Sequence, residues 1–220
     1  MNRGLVLLVF AAIFGFFSCV EEKEEPLFEE GKEFQPLSIG LFWTYQVEET
    51  EYFGENDFEN RNYFLRDRIR SSYVNEAKEL VFIVERSQSN NQSNWNKIIE
   101  YTLLLRNNSL IKNLNNQSVV NLVFPPRLGT NWNGKIYQAE GDDEFEIDLV
   151  EGDILRVNQE EFDDKVTKRD VRFEIFQKNI GLTEAFYDVI TYCSRNDCLG
   201  NQLIDGGKKI SMKLVDNGKN

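Results

Sequence analysis

The sequence predicts an all-β fold: one antiparallel sandwich, or an open or closed barrel-like domain, of about ten strands. Three observations carry that reading. Apolar residues recur with a period of two in many short segments. Asn-, Pro- and Gly-rich turn signals separate those segments. No stretch after the first 18 residues shows a helical apolar stripe with caps. The chain has 220 residues, with 41% hydrophobic and 13% aromatic residues, enough to bury the core of a single domain.

The elements follow in order. In GLFWTYQVEE, Leu41, Trp43, Tyr45 and Val47 alternate with Phe42, Thr44, Gln46 and Glu48, the pattern of a half-buried strand. FLRDRIR follows as a strand that places Arg66, Arg68 and Arg70 on one face. LVFIVER, residues 80–86, is a more continuous apolar run and reads as a central strand. Ile99, Tyr101, Leu103 and Leu105 then share a face. EFEIDLVEGD sets Phe145, Ile147 and Leu149 against Glu144, Glu146 and Asp148, and Val171, Phe173 and Ile175 repeat the alternation. AFYDVITYC and KKISMKLV supply the last two strands. Turns are expected at Asn90-Asn91, Asn107-Asn108, Asn115-Asn116, Pro125-Pro126, Asn133-Gly134 and Gly206-Gly207. Strand order and the choice between sandwich and barrel do not follow from these patterns.

The first 18 residues have the composition of a targeting segment. Arg3 precedes an apolar stretch from Leu5 to Phe17. That stretch is shorter than the roughly 20 residues a membrane-spanning helix needs, and matches a signal-peptide core. It ends in Phe16-Phe17-Ser18-Cys19, which resembles the lipobox of bacterial lipoproteins: Ser18 fits the small residue before the cysteine, while Phe16 stands where Leu is usual. The resemblance implies that Cys19 is the lipid-attachment residue and the first residue of the mature chain. The acidic run Glu21 to Glu25 is similar to export signals of Bacteroidota surface lipoproteins, and also reads as a solvated linker. FQPLSIGLFWTYQVEE, GTNWNGKIY and KNIGLTEAFYDV resemble segments of uncharacterised Bacteroidota outer-membrane lipoproteins. The implied organisation is a signal peptide over 1–18, an acidic tether over 19–33 and a β domain over 34–220. Stretched out, such a tether reaches about 45 Å. The implied location is the cell envelope, at the outer membrane, periplasmic or surface-exposed. Attachment would rest on the lipid, at about 0.8 kcal/mol per buried CH₂.

With Cys19 assigned to lipid, Cys193 and Cys198 are left as a pair in an oxidising compartment. A disulfide is expected there; two free thiols are the other reading. Their spacing is not that of a Cys-x-x-Cys redox motif, and the chain has no histidine or further cysteine to complete a zinc site.

Composition narrows function further. The net charge is −12, from 37 acidic and 25 basic residues, which disfavours nucleic acid as a partner. Without histidine no Ser-His-Asp or Cys-His centre can form. No phosphate-binding or nucleophile-elbow motif occurs, so neither an enzyme nor a cofactor is expected. Carboxylate pairs suited to glycoside hydrolysis are a weak alternative in so acidic a chain. Asp142-Asp143-Glu144 and Asp163-Asp164 offer oxygen ligands but lack EF-hand spacing, and read as solvated loops; no metal is expected. Arg66, Arg68 and Arg70 form a candidate anion-binding face, with a solvated face paired to acidic neighbours as the competing reading. Trp43 reads as core, whereas Trp95 and Trp132 lie beside Asn-rich turns. The Asn-x-Ser triplets at Asn91, Asn107 and Asn116 read as turns. The expectation is a lipid-anchored, non-enzymatic domain that binds a protein, glycan or small ligand. The alternative is a lipocalin-like carrier of a small apolar ligand.

Overall fold

A computed structural model describes residues 31–54, 57–139 and 141–220. Cys19, the signal segment and most of the tether lie outside the described residues. The fold is all-β and barrel-like, as the alternation predicts, but with twelve strands: β1 (Leu41–Gly54), β2 (Asp57–Val74), β3 (Leu80–Ser89), β4 (Asn96–Arg106), β5 (Ser109–Leu114), β6 (Gln117–Val123), β7 (Asn131–Asn133), β8 (Glu144–Glu151), β9 (Ile154–Asp163), β10 (Lys168–Gln177), β11 (Gly181–Tyr192) and β12 (Ile204–Lys219).

All twelve belong to one antiparallel sheet, ordered β6-β5-β4-β3-β2-β1-β12-β11-β10-β9-β8-β7. Two six-stranded meanders, β1–β6 and β7–β12, are therefore joined along β1 and β12, with Tyr45 opposite Leu214 and Val47 opposite Met212. The remaining seam, between β6 and β7, is nearly closed. The Val120 amide donates to the Gly134 carbonyl at 2.8 Å, and the Trp132 indole N–H donates to the Val120 carbonyl at 2.7 Å. Closure removes most of the unpaired edge that an open sheet of this size would expose.

The inward faces build the main core from Trp43, Tyr45, Val47, Leu65, Ile69, Val84, Leu103, Leu110, Phe145, Ile147, Leu155, Val157 and Phe176. Burying each such side chain is worth about 1.5–3 kcal/mol. A smaller cluster, Val81, Leu104, Ile111 and Val120, is capped by Trp132. A 3-10 turn, Lys32–Phe34, inserts Phe34 into the main core, and the Asn179 amide donates to the Glu33 carbonyl. The packed domain thus takes in the last residues of the stretch read as tether.

Two of the expected turns hold and two resolve differently. Asn107-Asn108 and Asn115-Asn116 are tight turns with both residues at positive φ; they join β4 to β5 and β5 to β6, and β5 and β6, six and seven residues long, are the strands the alternation had not resolved. Gly206-Gly207 is no turn; both residues lie within β12, and a Cβ on Gly207 would meet the Val189 carbonyl oxygen at 2.3 Å. Asn133-Gly134 is not a hairpin of the positive-φ kind either. Asn133 ends β7 and its side-chain oxygen accepts from the Lys135 and Asp143 amides, while Gly134 gives clearance to the Phe145 ring.

Candidate functional site

The barrel interior is not uniformly apolar. Where the strands pass the middle of the lumen, inward positions carry Asp67 on β2, Arg86 on β3, Tyr101 on β4, Lys112 on β5, Asn121 on β6, Gln159 on β9, Glu174 on β10 and Tyr187 on β11. The period of two puts them there: each sits in phase with an apolar inward neighbour, such as Leu65 and Ile69 around Asp67.

Asp67 is 2% exposed and meets Arg86, its cross-strand partner, through two bonds of 2.7 Å. The Tyr101 hydroxyl donates to Asp67 at 2.9 Å. Burial pushes the Asp67 carboxyl up, but the Arg86 charge and hydrogen bonds overcome it and hold the group below the usual carboxylate range. Burial also drives the Tyr45, Tyr101 and Tyr187 phenols well above their ordinary value, with Asp67 or Glu174 adding to the shift. Glu174, 2% exposed, accepts from the Asn121 amide and the Tyr187 hydroxyl.

Beside this network lies a cavity of about 230 Å³, lined by polar Lys112, Gln159, Arg172 and Glu174 and by apolar Leu114, Val119 and Phe145. The exposed β5–β6 turn at Asn115 and Gln117 forms part of its rim. Asp143, far from being a solvated loop residue, is 6% exposed on the cavity wall. Arg172 clasps it at 2.9 and 3.0 Å, and Lys135 reaches it at 3.0 Å. Burial raises the Asp143 carboxyl, yet these two cations hold it below its ordinary value. Lys112 differs from its neighbours. No acceptor or carboxylate lies within bonding reach of its ammonium among the described residues; the ammonium lies over the Tyr101 ring, 5.0 Å from its centroid. Burial and the Arg86 charge lower its pKa, opposed by Glu174 and Asp67.

The sequence-derived candidates fall elsewhere. Arg66, Arg68 and Arg70 do share the outer face of β2. Arg68 pairs with Glu85 at 3.2 Å and Arg70 with Glu100 at 3.1 Å. Arg66 donates to Thr44 and stacks on Trp95, 4.2 Å from its centroid. Cys193 and Cys198 form a disulfide, buried at the start of the β11–β12 connection. Trp43 is core and donates to the Ile180 carbonyl. Asp163 and Asp164 cap the β9–β10 turn through backbone amides. Among the described residues no group of three or more His, Cys, Asp or Glu is placed to hold a metal ion.

The lumen residues were missed although a signal existed. A charged residue in phase with inward apolar neighbours marks Asp67 and Arg86. On β10 the expected face is inverted: Arg172, Glu174 and Phe176 point inward, while Val171, Phe173 and Ile175 lie half-buried on the other face, where Phe173 stacks on Phe186.

The chain matches no protein-family model and no curated protein. Among solved structures it is similar to a candidate exported protein with a YmcC-like fold from Bacteroides fragilis, at 10% identity and a TM-score of 0.44, covering 84% of this chain and 98% of that one. It is also similar to a candidate lipoprotein from Parabacteroides distasonis, at 9% identity and a TM-score of 0.38, with the same coverage. Likenesses at this level carry nothing about residues or ligands.

Proposed function

We propose that this protein is a lipid-anchored lipoprotein of the bacterial outer membrane whose barrel is a non-enzymatic binding module, with the ligand seated in the lumen. The observation that carries the binding half is the cavity itself: about 230 Å³ of concave, mixed polar and apolar wall inside a rigid sheet. Apart from Lys112, the charged groups of its wall are engaged by other side chains, Asp143 by Arg172 and Lys135 and Glu174 by Asn121 and Tyr187, which suits a fixed binding wall. The envelope half is supported by the lipobox-like Phe16-Phe17-Ser18-Cys19, the acidic run behind it and the Cys193–Cys198 disulfide, which suits an oxidising compartment. Metabolic labelling with an alkyne fatty acid tests the anchor. Wild type should be labelled and Cys19→Ala should not; if both stay unlabelled, the anchor is wrong. The carrier of a wholly apolar ligand is the second reading. The apolar panel of Leu114, Val119 and Phe145 favours it, and the charged remainder of the wall weighs against it.

A further inference from the structure

We infer that the lumen cavity is a seat for a small organic acid carrying a single carboxylate, bound by the Lys112 ammonium and the Gln159 amide, with its apolar part against Leu114, Val119 and Phe145. The inference rests on the lumen being a binding site and names the ligand class.

The wall carries three cations, Lys112, Lys135 and Arg172, and two carboxylates, Asp143 and Glu174. Their pairing is unequal. Arg172 and Lys135 are both committed to Asp143, and Arg172 also bonds Asp170. Glu174 is occupied by Asn121 and Tyr187. That leaves Lys112, half-buried, with no protein acceptor among the described residues. An ammonium drawn out of bulk water and left without an acceptor is unfavourable, and a carboxylate oxygen corrects both the charge and the missing bond. Gln159 is the second unpartnered group. Its side chain is 6% exposed, lines the same cavity, and makes no hydrogen bond with the described residues. Its NH₂ group can donate to the second carboxylate oxygen.

Charge and size narrow the class. A second negative charge on the ligand would sit against Asp143 and Glu174, so dicarboxylates and phosphate dianions are disfavoured. A ligand amine would face Lys112. The volume is below the range of roughly 300–1,000 Å³ usual for drug-sized ligands, which favours a molecule of one ring or a short chain.

The test uses the full-length protein in detergent micelles, titrated calorimetrically with benzoate, its neutral analogue benzamide and the dianion phthalate. Benzoate should bind saturably at one site per chain. A hydrogen bond to a charged group is worth about a tenfold change in affinity or more, so benzamide and phthalate should each bind at least about 10-fold more weakly. Lys112→Met, which keeps the stem and removes the charge, should lose about the same factor for benzoate and nothing for benzamide. Gln159→Leu should weaken benzoate by a smaller factor. The comparison of probes on wild type needs no variant, so a poorly folding substitution leaves it intact. Benzoate bound no better than benzamide, benzoate bound equally by Lys112→Met, or no benzoate binding at all overturns the carboxylate seat. A neutral fragment that binds in the lumen while benzoate does not would leave the binding module standing and remove only its ligand class. Failure of every compound in a general fragment set would remove both.

Discussion

The Asp67–Arg86 pair governs stability at the level of single residues. Both charges lie inside the barrel, and Asp67 is 2% exposed. A buried pair is worth little against a well-packed apolar replacement, but breaking it by removing one partner leaves an uncompensated charge. Arg86→Met should therefore destabilise the protein by about 3–5 kcal/mol in chemical denaturation. The double variant Asp67→Leu/Arg86→Met should recover most of that loss, because no charge is then stranded. Equal destabilisation in the single and double variants would show that the pair is not isolated inside the sheet. Residue scale is also where the sequence was least legible. Leu65-Arg66-Asp67-Arg68-Ile69 contains the clue, an acid flanked at i±2 by apolar residues. The flanking arginines face outward and mask it, because their own alternation reads as the polar face of the strand.

Among the elements, β1 and the strand beginning at Asn96 were plain from alternation because their inward positions are nearly all apolar. β10 was misread because Arg172 and Glu174 turn inward and find partners there, a compensation that local sequence does not display. β5 and β6 escaped notice because they are short and linked by two-residue turns, which leave no loop to mark them. Gly207 shows how a turn signal can mean something else. Its φ of 120° and the approach of β11 leave no room for a side chain: an added Cβ would lie 2.3 Å from the Val189 oxygen and 2.6 Å from the Ile190 Cα. Gly207→Ala should cost about 1–3 kcal/mol from backbone strain alone, with more from the displaced strand. Hydrogen exchange should quicken along β11 and β12 before other strands. An unchanged exchange pattern would mean that the two strands do not pack this closely.

For the molecule as a whole, closure of the sheet was beyond local reading. The pairing of β1 with β12 joins positions as distant as Leu41 and Lys219, and nothing in either strand's own pattern names its neighbour. The assembled barrel has a definite response to pH. Glu49, Asp67, Glu79 and Asp143 have folded-state pKa values below their ordinary ones, Glu79 being lowered from 4.5 to about 2. Groups shifted in this direction stabilise the fold above their unfolded pKa, and that contribution is lost as pH falls through the folded values. Asp188, whose carboxyl is raised by burial, acts in the opposite sense, but it stands against these four and against Glu100 and Asp164, which are lowered as well. The raised phenols of Tyr45, Tyr101 and Tyr187 favour the fold fully below their ordinary value of 10.0 and lose that contribution as pH rises above it. Thermal or chemical denaturation across pH should give a flat-topped profile that falls below about pH 4 and above about pH 10. A stability that rises on acidification below pH 4 would contradict the buried ionic network.

The lumen as a ligand seat is tested most directly by locating a ligand in it. Crystals of the protein soaked in 4-bromobenzoate would report the bromine by anomalous scattering. The carboxylate should lie in hydrogen-bonding contact with the Lys112 ammonium and the Gln159 amide, and the bromine against the panel of Leu114, Val119 and Phe145. An anomalous peak confined to the outer surface, with the lumen holding water alone, would contradict the account.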